Sequence, residues 1–210
     1  PTDDEMALVD AGKALAAYQE TLASERTPFD AFRDALVRGD GDAAKRYPVA
    51  AQRGLRLFIG RGQCIACHAG ANFSDGEFHR SRIASKLHDG AADAGRALGV
   101  EKLRGSAYTR GGRFDDEINA APRAASQQPA EAGAFRTPGL REVSATAPYM
   151  HDGSIANLCD SLQPHAALQE GRDAPALTLA ERRDLVAFLR TLGAQEQAVV
   201  LTDEEAMTCR

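Results

Sequence analysis

The chain has 210 residues, of which 43% are hydrophobic and 26% charged, with a formal net charge of −5. That composition is ordinary for a soluble globular protein and long enough for one large domain or two small ones. The negative balance argues against nucleic acid as a partner, and no apolar run approaches the length of a membrane span.

The first predicted element is a helix. Thr2 can cap it, with Glu5 three residues on as the capping-box partner. Leu8, Ala11, Leu15, Tyr18 and Leu22 then recur at helical spacing, which predicts a buried face. A second helix starts at Thr27-Pro28, with Thr27 as cap, Pro28 at the first helical position and Asp30 near the positive end. Phe29, Phe32, Leu36 and Val37 are its expected buried side, and Gly39-Asp40-Gly41-Asp42 ends it. A third helix is expected over Val49–Ile59, with Gly54 and Phe58 on one face.

Cys64-Ile65-Ala66-Cys67-His68 follows at once. This is C-x-x-C-H, the attachment signature of a c-type haem. Two thiols on one helical turn can add to the two vinyl groups of a porphyrin, and the next imidazole then ligates the iron. A zinc site would need a second ligand pair at similar spacing, and the sequence has none. A thioredoxin-like pair would need a preceding strand, whereas the flank reads as helix. Haem attachment implies export. No signal peptide is visible ahead of Pro1-Thr2-Asp3-Asp4, so the chain is expected to be a mature or trimmed product.

Residues 73–134 form a long polar stretch with little periodicity, punctuated by Gly111-Gly112 and Pro122. A loop of this length in a compact domain is usually functional or borrows order from a neighbour. Its basic and acidic residues cancel. A last helix is signalled by Thr178 with Glu181 at the capping-box position, followed by Leu185, Val186, Phe188, Leu189 and Leu192, with Gly193 as a stop. In small c-type cytochromes the first helix crosses the last at a small residue, and Gly54 fits that position. Four cysteines are present. Cys159 and Cys209 lie outside the haem motif. In an oxidising compartment they suggest a disulfide, the alternative being two free thiols.

The iron's opposite ligand decides the chemistry: a strong ligand makes an electron carrier, an open position admits peroxide. Met6, Met207, His79 and His88 are poor candidates by position. Met150, His151 and His165 fall between the haem motif and the last helix, and by spacing Met150 is attractive.

Several stretches taken together resemble a known family. They are Gly54-Leu55-Arg56-Leu57-Phe58 ahead of the haem motif, Phe73-Ser74-Asp75 after it, Phe135-Arg136-Thr137-Pro138-Gly139-Leu140-Arg141, and Thr146-Ala147-Pro148-Tyr149-Met150-His151-Asp152-Gly153. They resemble the bacterial dihaem cytochrome c peroxidases and the related methylamine-utilisation dihaem enzymes. Ala16-Ala17-Tyr18-Gln19-Glu20-Thr21-Leu22 is similar to the helix that joins the family's two haem domains. The resemblance therefore covers the C-terminal haem domain and the joining segment. In that family the N-terminal haem is peroxidatic and the C-terminal haem receives and passes on electrons. This sequence has one C-x-x-C-H and no tryptophan, so it is expected to be a fragment, a stand-alone version or a split version.

The resemblance places the distal ligand twelve residues beyond Gly153. There peroxidases have Met and the methylamine-type enzymes often have Tyr. Here the position is His165, which implies bis-histidine ligation by His68 and His165, with Met150 as the alternative and His151 near the haem edge. A bis-histidine haem has a lower potential than a His/Met one. Arg136 and Arg141 are candidates for a propionate contact, or are ordinary surface arginines. The family's calcium ligands map to the carbonyls of Thr146 and Pro148, with a further ligand from the missing domain; two carbonyls fall short of that ion's usual set.

The expected fold is mainly α: a cytochrome c-like helical domain around one covalent haem c, with a long irregular insertion and an N-terminal helical segment. Residues 1–46 would be the joining segment, 47–195 the haem domain and 196–210 an acidic tail. The expected function is single-electron transfer with a redox partner protein in the periplasm or another exported location. The alternative is a hydrogen-peroxide-reducing cytochrome c peroxidase.

Overall fold

The computed structural model describes residues 2–80, 93–104, 106–117, 132–163 and 176–194, together with Cys209. In chain order the described elements are α1 (Asp3–Glu20), α2 (Pro28–Val37), α3 (Gly41–Lys45), α4 (Val49–Ile59), a 3₁₀ turn at Cys64–Ala66, β1 (Phe78–Arg80), α5 (Arg96–Arg104), β2 (Ala134–Arg136), a second 3₁₀ turn at Val143–Ala145, α6 (Leu158–Ser161) and α7 (Leu179–Arg190). The architecture is mainly helical, and its one described sheet is the two-stranded β1–β2 pair. No described helix is long and apolar enough to cross a membrane. The chain divides into two compact units, Pro1–Ala23 with Asp93–Ala134, and Ser24–Ala92 with Phe135–Arg210.

The smaller unit holds α1 and α5. Thr2 and Glu5 form the expected capping box, each side chain accepting from the other's backbone N–H. The expected burial of the α1 stripe is not observed. Leu8, Leu15, Tyr18 and Leu22 are all about three-fifths exposed, and Val9 is the buried residue of the helix. The reason lies in what faces α1 within its own unit. Glu5 pairs with Arg113 and Lys13 with Asp116, so polar loop residues, rather than an apolar surface, meet the helix. Val100 of α5 and the stacked rings of Tyr108 and Phe114 give the unit its own small apolar content.

In the larger unit, α4 crosses α7. Ala51, Gly54 and Phe58 are the buried face of α4, and Leu185, Val186, Ala187, Phe188 and Leu189 that of α7. The helices approach closely because Gly54 has no side chain: a Cβ there would collide with the Asp184 carbonyl and stand 2.8 Å from Phe188 Cβ. Arg53 closes the crossing with two hydrogen bonds of 2.6 Å to the Asp184 carboxylate. Around it, Phe58, Phe73, Leu185, Phe188, Leu189 and Leu192 form the main core. Burying each of these large side chains contributes about 1.5–3 kcal/mol. Phe29, Phe58, Phe73 and Phe188 meet edge-on or tilted, with centroids 5.1–6.3 Å apart, the geometry that ring quadrupoles favour.

α2 begins at the expected Thr27 cap with Pro28 at its first position. Its buried face differs from the expectation. Phe32 and Ala35 point inward, while Leu36 and Val37 are 57% and 81% exposed. The inward stripe runs one residue earlier because α3 and Tyr47 cover Phe32 and Ala35 from one side. α7 starts at the expected Thr178–Glu181 capping box and ends at Arg190, capped by Thr191.

Candidate haem-attachment site

Gly60 ends α4, and Gln63 adopts a left-handed backbone (φ 52°) that turns the chain into the Cys64–Ala66 3₁₀ turn. Cys67 N and His68 N both donate to the Cys64 carbonyl, at 3.3 and 2.9 Å. Cys64, Cys67 and His68 therefore share one turn, immediately after the core helix α4. The two thiols are not joined to each other. Burial pushes the Cys64 thiol up to about 11, so at neutral pH it stays protonated. A redox-exchange cysteine has the opposite property, a thiol acidified by its surroundings.

The loop after the motif orients the imidazole. His68 Nδ1 lies 3.0 Å from the Phe73 carbonyl. A carbonyl only accepts, so Nδ1 carries the hydrogen and the neutral ring has its lone pair on Nε2. This is the usual arrangement of a metal-ligating histidine, whose second nitrogen donates to a carbonyl or carboxylate. Phe73 holds its carbonyl in place with a left-handed backbone (φ 53°) and a ring buried in the core. The loop is stitched further by Ser74 N to Ala69 O (2.7 Å), Asp75 N to Cys67 O (2.8 Å) and Leu140 N to Asn72 O (3.1 Å). Cys64, Leu55, Leu140, Val143, Leu158, Leu162 and Leu177 are half-buried apolar groups packed on the core. Two unlinked thiols on one turn and an imidazole held in the ligating tautomer fit a covalently attached porphyrin.

The other candidates are placed as follows. Arg141 lies largely buried. It gives two hydrogen bonds to Asp30 (2.9 and 3.0 Å) and one from Nε to the Ala71 carbonyl (2.8 Å). Arg136 is exposed, beside Gly76. Residues 146–155 form a tight loop closed by Tyr149 N to Ile155 O (2.7 Å) and Ile155 N to Tyr149 O (3.3 Å). Half-buried Met150 sits in it with φ 74°, and His151 is exposed with its ring stacked on Phe135 at 4.0 Å. Thr146 and Pro148 are exposed in the same loop. His79 pairs with Asp75 at 2.7 Å, and these two present ligand-type atoms within 4.8 Å of the Cys67 sulfur. His165, His88 and Met207 lie outside the described residues.

Cys159 and Cys209 form a disulfide, with Cα atoms 5.2 Å apart, packed on Val186 of α7. Asp30 and Phe73 were not singled out from sequence as site residues. Asp30 is read there only as a helix-start carboxylate, yet it is buried and binds Arg141. That hydrogen bond, ahead of those from Thr27, holds its carboxyl far below the usual carboxylate range.

Known proteins resemble the chain along most of its length. The methylamine utilization protein MauG of Methylorubrum extorquens is 36% identical over 197 residues, which span 90% of this chain and 45% of the relative. The cytochrome-c peroxidase IdrP1 of Denitromonas iodatirespirans is 36% identical over 202 residues, spanning 89% and 50%. A solved MauG-like protein associated with microbial copper homeostasis superposes with a TM-score of 0.52 at 26% identity, covering 87% of this chain and 56% of that one. The diheme peroxidase BthA of Burkholderia thailandensis shares the fold, with a TM-score of 0.51 at 24% identity over 83% of this chain and 48% of that one. No protein-family model matches the chain. The chain spans about half the length of the curated relatives it matches. With these relatives and the C-x-x-C-H turn together, the chain is a homologue of the MauG proteins and bacterial dihaem cytochrome c peroxidases over about half of their length.

Proposed function

We propose that this chain is a c-type cytochrome domain that transfers single electrons, the electron-input half of a dihaem peroxidase-like system corresponding to the family's C-terminal haem domain. The observation that carries the reading is the Cys64–His68 turn with the His68 imidazole held in the ligating tautomer by the Phe73 carbonyl. The cysteine arithmetic supports one haem. Cys159 and Cys209 are tied to each other, which leaves Cys64 and Cys67 for attachment. Bound there, haem c supplies a one-electron iron couple.

In this reading Cys64 and Cys67 anchor the porphyrin and His68 ligates the iron. His165 is the opposite ligand, with Met150 as the alternative. Arg136 and Arg141 are the candidates for a propionate, and Arg136 is favoured because Asp30 and Ala71 already engage Arg141. His151, stacked on Phe135, lies near the haem edge. A calcium ion would draw on the Thr146 and Pro148 carbonyls and take its remaining oxygen ligands from outside this chain. Haem attachment and a structural disulfide both support an exported, periplasm-type location. The partner is a redox protein that gives or receives the electron.

A second reading, a hydrogen-peroxide-reducing enzyme, is favoured by relatives that are cytochrome-c peroxidases. Absorption and electron paramagnetic resonance spectra of the oxidised protein separate the two. The carrier reading requires a low-spin wild-type spectrum; one that is unchanged in His165→Ala would overturn the His165 assignment, and one that changes in Met150→Ala would favour the alternative ligand. A high-spin wild-type spectrum, with peroxide consumed at the expense of a reduced donor, would establish the enzyme instead.

A further inference from the structure

A continuous set of contacts runs from the start of α2 to the axial histidine. The Asp30 carboxylate accepts from Thr27 N (3.1 Å), Thr27 Oγ1 (2.9 Å) and Arg33 Nη1 (3.1 Å). It also accepts both terminal nitrogens of Arg141 in a two-pronged pair. Arg141 Nε reaches across to the Ala71 carbonyl. Two residues on, Phe73 turns its carbonyl to His68 Nδ1. The Arg141 guanidinium carbon stands 5.9 Å from the centroid of the Phe73 ring. Phe73 has φ 53°, a backbone state disfavoured for a bulky residue, so the loop needs outside support to present its carbonyl this way.

We propose that Arg141, clamped by Asp30, is a positioning residue for the iron ligand His68: it holds the 71–73 loop so that the Phe73 carbonyl keeps its hydrogen bond to Nδ1 and thereby sets the donor strength of the imidazole. The inference rests on the reading of His68 as a haem ligand. A hydrogen bond from Nδ1 makes the ring a stronger donor, and a stronger donor favours the oxidised iron. Loosening the loop therefore raises the reduction potential. Removing a nearby cation has the opposite electrostatic effect, lowering it, so the sign of the change separates the brace from simple charge.

The test uses the haem-loaded protein and its Arg141→Ala and Arg141→Lys variants. Lysine keeps the charge but cannot make the two-pronged pair. Both variants are expected to shift the equilibrium three- to tenfold towards the reduced form, the upper end being about 59 mV for one electron, with altered low-spin resonance positions. Tyr47→Phe, which weakens the same unit without touching the brace, is expected to leave both readouts unchanged. An unchanged or lowered potential in Arg141→Lys, or an equal rise in Tyr47→Phe, would overturn the proposal. If Arg141→Ala fails to fold, the Lys variant alone decides. Wild-type protein that takes up no covalent haem would count against the functional reading rather than against the brace.

Discussion

Gly54 of α4 lies directly against the Asp184 carbonyl of α7, where the two helices that carry the core cross. The preceding residue, Arg53, grips the Asp184 side chain, so one pair of neighbours meets both the backbone and the carboxylate of the same residue. A methyl group at Gly54 has no rotamer to escape into, because the atoms it would meet are backbone and a Cβ. Gly54→Ala is expected to push the helices apart and cost about 3 kcal/mol. Urea denaturation of the two proteins side by side checks this. Equal midpoints would show that the crossing has slack the geometry does not reveal.

The Asp30–Arg141 pair makes stability depend on acid. Arg141, then Thr27, hold the folded-state carboxyl of Asp30 far below its ordinary value. At pH above about 4, the ordinary range of an aspartate, Asp30 is ionised in both states and its contribution is complete. As the pH falls below that point, the unfolded chain takes up a proton that the folded protein refuses, and stability declines. Denaturation midpoints measured from pH 6 down to pH 3 are expected to fall more steeply for wild type than for Asp30→Asn. Parallel slopes would mean that Asp30 is not the responsible group.

The disulfide closes a loop of 50 residues and packs its sulfurs against Val186. Chain-entropy reasoning sets a ceiling of about 4 kcal/mol for a loop of that size. Cys209→Ser should therefore lower the stability of the folded protein by about 2–4 kcal/mol. Wild type in the presence of dithiothreitol should behave in the same way. A variant as stable as wild type would place the disulfide outside the cooperative unit.

Much of this structure was legible in the sequence, and the illegible parts share a cause. The caps at Thr2, Thr27 and Thr178 are local signals, each read three residues from its partner, and all three are present. Gly54 was legible because the first and last helices of small c-type cytochromes cross at a small residue, and it shares a helix face with Phe58. Arg141 and Asp30 stand 111 residues apart, and neither carries a local mark of the other. The α1 stripe shows the converse limit. Helical spacing of Leu8, Leu15, Tyr18 and Leu22 identifies an amphipathic helix but not what covers it, and within its unit α1 meets polar loops. The Cys64–His68 turn is legible as a C-x-x-C-H motif, whereas the Phe73 carbonyl that faces His68 depends on a left-handed backbone that no motif announces.

Tyr47 and Thr191 join the α3–α4 connection to the end of α7 through a buried hydrogen bond of 2.6 Å. Its direction can be assigned. The Thr191 hydroxyl donates to the Phe188 carbonyl, so its oxygen accepts from Tyr47. Tyr47→Phe removes a donor and leaves no buried group stranded except an acceptor that still has its own donor bond, for a cost of about 1 kcal/mol. Thr191→Val strands the buried Tyr47 hydroxyl and should cost about 2 kcal/mol. The double variant should then lose less than the sum, since the second change removes the stranded group. Burial pushes the Tyr47 hydroxyl up to about 12. Between the ordinary tyrosine value of about 10 and that point, the unfolded chain ionises while the folded protein does not. Stability is therefore complete below about pH 10 and is lost as the pH rises through the folded-state value. Alkaline denaturation should be shallower in Tyr47→Phe than in wild type, and additive costs with identical alkaline slopes would show that the two hydroxyls do not act as a pair.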